Sequence, residues 1–153
     1  ATAGFSPFGA NGLALSKDGL TLFVANTGDD RVLKVDLAAS PVSVSVFTES
    51  INGADGIAFD DSGILWVAAN QADEIVGLNA AGRVVAKIGA FDKIGADGAP
   101  EGLLFPASLV LVGREVYITN LALPLTPAVG DEPEEDVTRW TVSRFRLLPN
   151  RRQ

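Results

Sequence analysis

Gly53-Ala-Asp-Gly-Ile-Ala-Phe-Asp-Asp-Ser-Gly-Ile-Leu-Trp-Val-Ala-Ala-Asn70 decides how this chain folds. A carboxylate, Asp55, stands beside a glycine; a short apolar strand follows, Asp61-Ser62-Gly63 turns, and Leu65-Trp66-Val67 returns to a polar end. The same sentence is written earlier as Gly9-Ala-Asn-Gly-Leu-Ala-Leu-Ser-Lys-Asp-Gly-Leu-Thr-Leu-Phe-Val-Ala-Asn26, with Asn11 where Asp55 stands. A third, worn copy runs through Pro106-Ala-Ser-Leu-Val-Leu-Val-Gly-Arg-Glu-Val-Tyr-Ile-Thr-Asn120. The chain reads as three such units.

Outward from this core each unit continues in the same way. Gly12 to Ser16 and Thr21 to Ala25 are predicted strands joined at Lys17-Asp18-Gly19. After the turn at Asn26 to Asp30, Arg31-Val-Leu-Lys-Val-Asp36 and Val42-Ser-Val-Ser-Val-Phe47 alternate as half-buried strands do. The second unit predicts strands over Gly56–Phe59, Ile64–Ala68, Glu74–Leu78 and Val84–Ile88. Trp66 stands 43 residues after Phe23, and Glu74-Ile75 the same distance after Arg31-Val32. That is the period of a four-stranded propeller blade. Helical solenoids share the length, but the period-two alternation and the many glycines exclude them. The expected fold is all-β, a propeller fragment of about three four-stranded blades, half of a six-bladed ring. The blades fall at about 10–48, 53–90 and 103–148, the last incomplete.

In the third unit a glycine-rich loop, Phe91 to Gly102, precedes the first strand, and Tyr117 takes the Trp66 place. An insertion, Leu121 to Thr138, carries Asp131-Glu-Pro-Glu-Glu-Asp136. It lacks the glycine-centred spacing of a calcium loop, so it reads as a solvated lid, with a cation site as the alternative. Phe23, Trp66 and Tyr117 recur in register and read as core between blades. Three blades cannot close a ring. Two sheet faces with apolar surface would stay open, to be covered by a missing propeller half or by a second copy in a homodimer.

Composition removes whole classes of chemistry. The 153 residues contain neither cysteine nor histidine, so thiolate nucleophiles, disulfides, Ser-His-Asp triads and imidazole metal sites are all excluded. Carboxylates, amides and hydroxyls remain, which are hard oxygen ligands for calcium, magnesium or manganese, with carboxylate-bound zinc the less suitable case. A net charge of -7 repels phosphate backbones, and only Arg151-Arg152 forms a basic pair, so no nucleic-acid partner is expected. No apolar run is long enough to cross a bilayer as a helix. The reading is of a soluble protein without membrane partners, secreted or periplasmic rather than cytoplasmic. The start, Ala1-Thr-Ala-Gly-Phe, carries no initiator methionine and reads as a processed, excised or trimmed end.

In a propeller, the innermost strands begin near the central channel on one face. Asn11 and Asp55 each immediately precede such a strand, so they would project from adjacent blades into one channel mouth, where oxygen ligands meet a cation or a small polar substrate. The following glycines let backbones approach closely. The plainer reading is that Asn-Gly and Asp-Gly are turn signals. Asn26 and Asn120 end equivalent second strands, with Asn70 one place further along; they read as turn formers, or else as groups that support the site or touch a substrate.

The paired stretches Ala10 to Ala25 and Ala54 to Ala68 resemble two successive blades of the senescence marker protein/gluconolactonase/luciferin-regenerating enzyme family. The resemblance is good over roughly residues 9 to 90 and looser beyond. It implies a six-bladed propeller with one divalent cation in the channel, calcium foremost, with zinc, manganese or magnesium as alternatives. It also implies hydrolysis of a lactone or sugar-like substrate. By it, Asn11 matches the asparagine metal ligand, and Asp55 the aspartate ligand that also serves as catalytic base. The family's third ligand, a glutamate in a Glu-Gly-Pro motif, has no match here; Glu101-Gly102 stands about six residues ahead of Ala107, the true counterpart of Asp55. The expected function is therefore a metal-dependent lactone hydrolase, with a non-catalytic propeller module for binding as the alternative.

Overall fold

The computed structural model describes residues 8–125 and 132–148. The lead-in before Phe8, Asp131 of the acidic insertion and the Arg151-Arg152 pair lie outside them. The first sheet holds β1 (Ala10–Leu15), β2 (Thr21–Asn26), β3 (Arg31–Asp36) and β4 (Ser43–Glu49) in sequential antiparallel order. The second repeats that order with β5 (Ala54–Phe59), β6 (Leu65–Ala69), β7 (Glu74–Leu78) and β8 (Val84–Ile88). The segment expected as a glycine-rich loop forms a small hairpin instead, β9 (Phe91–Ile94) with β10 (Pro100–Gly102). Only its turn is loop: Gly95 and Ala99 close it, and the flanking residues pair their backbones. The third sheet has three strands, β11 (Pro106–Val112), β12 (Glu115–Asn120) and β13 (Val142–Arg146).

This is a fragment of a β-propeller, its sheets stacked side by side with β1, β5 and β11 innermost. Several strand pairs close at a turn held by one side-chain acceptor. Asp60, for example, takes the N–H groups of Ser62 and Ile64, the Ser62 hydroxyl and the indole N–H of Trp66 at 2.9 Å. Alternation then sorts side chains between the two faces of every sheet. Leu65, Val67 and Ala69 of β6 pack with Phe23, Ala25 and Val32 of the first sheet. Trp66 and Ala68 face the other way, onto Val116 and Ile118 of the third. Phe23 also meets Phe47 and Phe59 edge-on, with ring centres 4.8 and 5.3 Å apart.

Tyr117 does not share this role. It pairs with Val110 and Arg144 on the far face of the third sheet and is half-buried, because no described sheet packs there. The far face of the first sheet is open as well, and it is aliphatic across its width. Leu13, Val24, Leu33 and Val46 form one row, and Leu15, Leu22, Val35 and Val44 the next. Leu13 is 60% exposed and Val44 62%, values found where a neighbouring sheet is lacking.

Two devices bring the sheets together at the innermost strands. A Cβ on Gly12 would lie 2.3 Å from the Asp55 carbonyl oxygen, and one on Gly56 would lie 2.5 Å from that of Ala107. Only glycine permits this approach. At the same edge Asp30 and Asp73, both in the left-handed region, reach across to the next sheet. Asp30 accepts the Gly53 N–H at 2.8 Å, and Asp73 that of Phe105 at 2.7 Å. Each acceptor thus holds the residue just ahead of the next innermost strand.

Candidate active site

Each innermost strand breaks register at its first turn of pairing. The irregularities fall between Ala10 and Leu13, Ala54 and Ile57, and Pro106 and Leu109. A bulge re-aims the side chain it carries, and the residues placed there are Asn11, Asp55 and Ala107. Asn11 and Asp55 line one cavity of about 250 Å³, together with Thr27, Asn70 and Gln71. Phe8, Phe105, Leu121 and Leu123 complete its wall.

Hydrogen bonds fix which atoms are left over in the cavity. The Thr27 hydroxyl donates to the Ala54 carbonyl at 2.7 Å, so its oxygen accepts from the Asn11 amide NH₂ at 3.2 Å. Asn11 is thereby turned so that its carbonyl oxygen is left for a ligand; among the described residues it has no donor. Asn70 donates its NH₂ to one carboxylate oxygen of Asp55 at 3.3 Å. The second carboxylate oxygen has no hydrogen bond among the described residues. Asp55 is only 8% exposed, and burial raises its pKa above the usual carboxylate value, with the Asn70 bond opposing the shift. Asn70 is 3% exposed. Its carbonyl oxygen is buried without a partner among the described residues and lies against Gly53, where any Cβ would come within 1.8 Å of it.

Not every amide singled out from the sequence joins this group. Asn26 donates to Asp29 at 2.9 Å, and neither lines the cavity. Asn120 is buried and fully employed: it accepts the Leu104 N–H and donates to the hydroxyls of Thr141 and Ser143. Its work is to tie the third sheet together. Glu101 sits on β10 in an exposed ion pair with Lys93 at 3.5 Å, apart from the cavity lining. Thr27 was overlooked, although a signal existed, since it occupies in the first repeat the place that Asn70 holds in the second.

The described part of the acidic insertion is exposed at Pro133, Glu135 and Asp136 and anchored behind them. Pro133–Asp136 forms a 3-10 turn, and Val137 behind it is buried with Leu104 and Ala122. Glu132 accepts the Leu125 N–H. Burial raises the Glu134 pKa, and the nearby Asp73 and Glu132 carboxylates add to the effect. Among the described residues no three His, Cys, Asp or Glu side chains gather as a metal cluster.

A larger cleft, about 600 Å³, opens at the opposite ends of the strands, where β8 faces β13 and, among the described residues, the third sheet has three strands. Several of its polar groups are already engaged. Asp60 serves its turn, Arg114 binds the Leu147 carbonyl and Arg146 pairs with Glu115 at 3.4 Å. The smaller cavity, with its unspent oxygens, is the candidate site.

A family model described as the SMP-30/gluconolactonase/LRE-like region matches residues 8–91. The chain belongs to this family. No curated protein matches it significantly. Among solved structures, the family chain superposes on a luciferin-regenerating enzyme with a TM-score of 0.69 at 23% identity, covering 92% of its own length and 46% of the enzyme. It superposes on a gluconolactonase from Xanthomonas campestris with a TM-score of 0.64 at 18% identity, covering 90% and 43% of the two chains. For regucalcin of Agrobacterium tumefaciens, described as a calcium-binding protein, the values are 0.60 and 19%, with coverage of 78% and 40%. At such identities these likenesses establish the propeller fold. The chain spans less than half the length of each.

Proposed function

We propose that this chain supplies the catalytic half of a lactonase-type hydrolase site. The observation that carries the reading is the pair of unspent oxygens, Asn11 Oδ1 and one Asp55 carboxylate oxygen, in a single cavity on adjacent innermost strands. Both are hard donors, and they fit a divalent cation of the calcium type, with zinc, manganese or magnesium as alternatives. A bound cation would polarise the lactone carbonyl. Further ligands would come from water and from whatever completes the ring, a missing propeller half or a second copy.

Asp55 would act as general base. Its raised pKa strengthens the carboxylate as a proton acceptor. It takes a proton from water as that water's oxygen bonds to the lactone carbonyl carbon. The ring C–O bond then breaks, the proton passes to the departing alkoxide, and a hydroxy acid leaves. Asn70, donating to the other carboxylate oxygen, would hold Asp55 in place, and Thr27 would do the same for Asn11.

The rival reading, a non-catalytic binding module, draws on the lack of a second carboxylate beside Asp55 among the described residues that line the cavity. Titrating calcium, zinc and manganese into the protein, then following lactone opening by pH-stat, separates the two. Metal-dependent turnover that is abolished in Asp55→Ala is the expected result. Turnover that persists in that variant would refute the assignment of the base.

A further inference from the structure

We propose that the cavity takes an amphipathic ligand, a lactone ring bearing an alkyl or aryl substituent, in preference to a polyhydroxylated lactone. The reaction at the ring rests on the hydrolase reading above; the binding preference does not.

The internal repeat shows where polarity stops. At the innermost-strand position the three units carry Asn11, Asp55 and then Ala107; at the position following the second strand they carry Thr27, Asn70 and then Leu121. The first two sheets therefore contribute oxygen and nitrogen atoms, and the third contributes hydrocarbon. Phe105 and Leu123 extend the apolar side. Leu121 and Leu123 are 42% and 38% exposed. Their uncovered surface lies in the same cavity as the Asp55 carboxylate.

Three main-chain N–H groups on that side are already spent. The Leu121 N–H is given to the Phe105 carbonyl at 3.0 Å and the Ala122 N–H to that of Leu104, while the Phe105 N–H goes to Asp73. Asn120, the nearest amide in sequence, has both ends of its side chain bonded elsewhere. A ligand hydroxyl turned toward the Phe105, Leu121 and Leu123 side chains loses its water and finds no hydrogen-bonding group on them, whereas an alkyl group there displaces water from leucine and phenylalanine. A volume of about 250 Å³ holds a lactone ring with a short side chain.

The test is calorimetric, on the protein in the assembled form it adopts in solution, with Asp55→Asn used to read binding and the wild type to read hydrolysis. The probes are γ-butyrolactone, γ-hexalactone and D-ribono-γ-lactone, which share one ring size and differ in substituent. Each buried methylene tightens binding about fourfold, so γ-hexalactone should bind roughly 15-fold more tightly than γ-butyrolactone. Replacing the two leucines together, Leu121→Asn with Leu123→Ser, should flatten that series; both are partly exposed, so the fold is not at stake. A flat series in the parent, an undiminished series in the double variant, or tighter binding of the ribonolactone would overturn the inference. An intact series with no hydrolysis of any probe upholds the binding preference and removes the hydrolase reading. Turnover that favours the ribonolactone does the reverse.

Discussion

Replacing Gly56 by alanine tests the packing on which the site depends. A Cβ built there sits 2.5 Å from the Ala107 carbonyl oxygen and 2.7 Å from the Ser108 Cα. Ordinary contacts between heavy atoms lie at about 3.5–4.0 Å. Both neighbours are backbone atoms of β11, held by its pairing with β12, and cannot rotate aside. The innermost strands must separate by roughly 1 Å, which forfeits about a quarter to a half of each dispersion contact across the gap. Overpacking of this kind costs about 1–3 kcal/mol. For a chain of this length that is a fall in Tm of about 3–9 °C, read by circular dichroism. Two controls isolate the steric cause. Gly9 has no atom within 4 Å and no positive φ, so Gly9→Ala should leave Tm unchanged or slightly raised. Gly63 is equally open but has φ +87°, so Gly63→Ala should cost about 1 kcal/mol from backbone strain alone. If Gly56→Ala melts with Gly9→Ala, the sheets do not meet as described, and the placement of Asp55 beside Asn11 falls with them.

Further outcomes follow from single side chains. Asp55→Asn keeps an acceptor for Asn70 while removing a buried charge, so in the presence of a chelator it should melt above the wild type at neutral pH. Because the folded pKa is raised from 3.8, the wild type is favoured below that value and loses stability as pH rises through the folded one; the gap between the two melting curves should therefore widen from pH 4 to pH 7. Asp60 behaves oppositely. Burial works against its charge, but the bonds from Trp66, Ser62 and Ile64 prevail and lower its pKa. Asp60→Ala should cost about 1–3 kcal/mol near neutrality, a difference that shrinks as the wild-type carboxylate is protonated in acid. Asp73→Ala leaves the Phe105 N–H without its acceptor and should cost a similar 1–3 kcal/mol. Hydrogen exchange at Phe105 should accelerate, and unchanged exchange would show that Asp73 does not join the second sheet to the third.

The repeat itself was legible because every layer of its physics leaves a mark in the sequence. Alternation sets the strands, Asp-Gly and Ser-Gly set the turns, and the recurrence of Phe23 as Trp66 sets the blade. That Asn11 and Asp55 belong together was legible for the same reason, as polar residues standing at one repeat position, and they line one cavity. What escaped notice depends on which atoms a fold leaves over. Asn26, Asn70 and Asn120 look alike in sequence, yet only Asn70 reaches Asp55, because the 3-10 turn after β6 begins one residue later than the strand end that Asn26 and Asn120 occupy. Tyr117 matches Trp66 in register but has no sheet to pack against. The bulges at the head of the first two innermost strands are written only as a glycine following the polar residue, and that glycine admits two causes, a turn or a close approach. The contacts of Gly12 and Gly56 with the neighbouring backbone decide for the approach. The same two glycines thus join stability to chemistry: they let the strands close, and the closed strands bring Asn11 and Asp55 to one cavity.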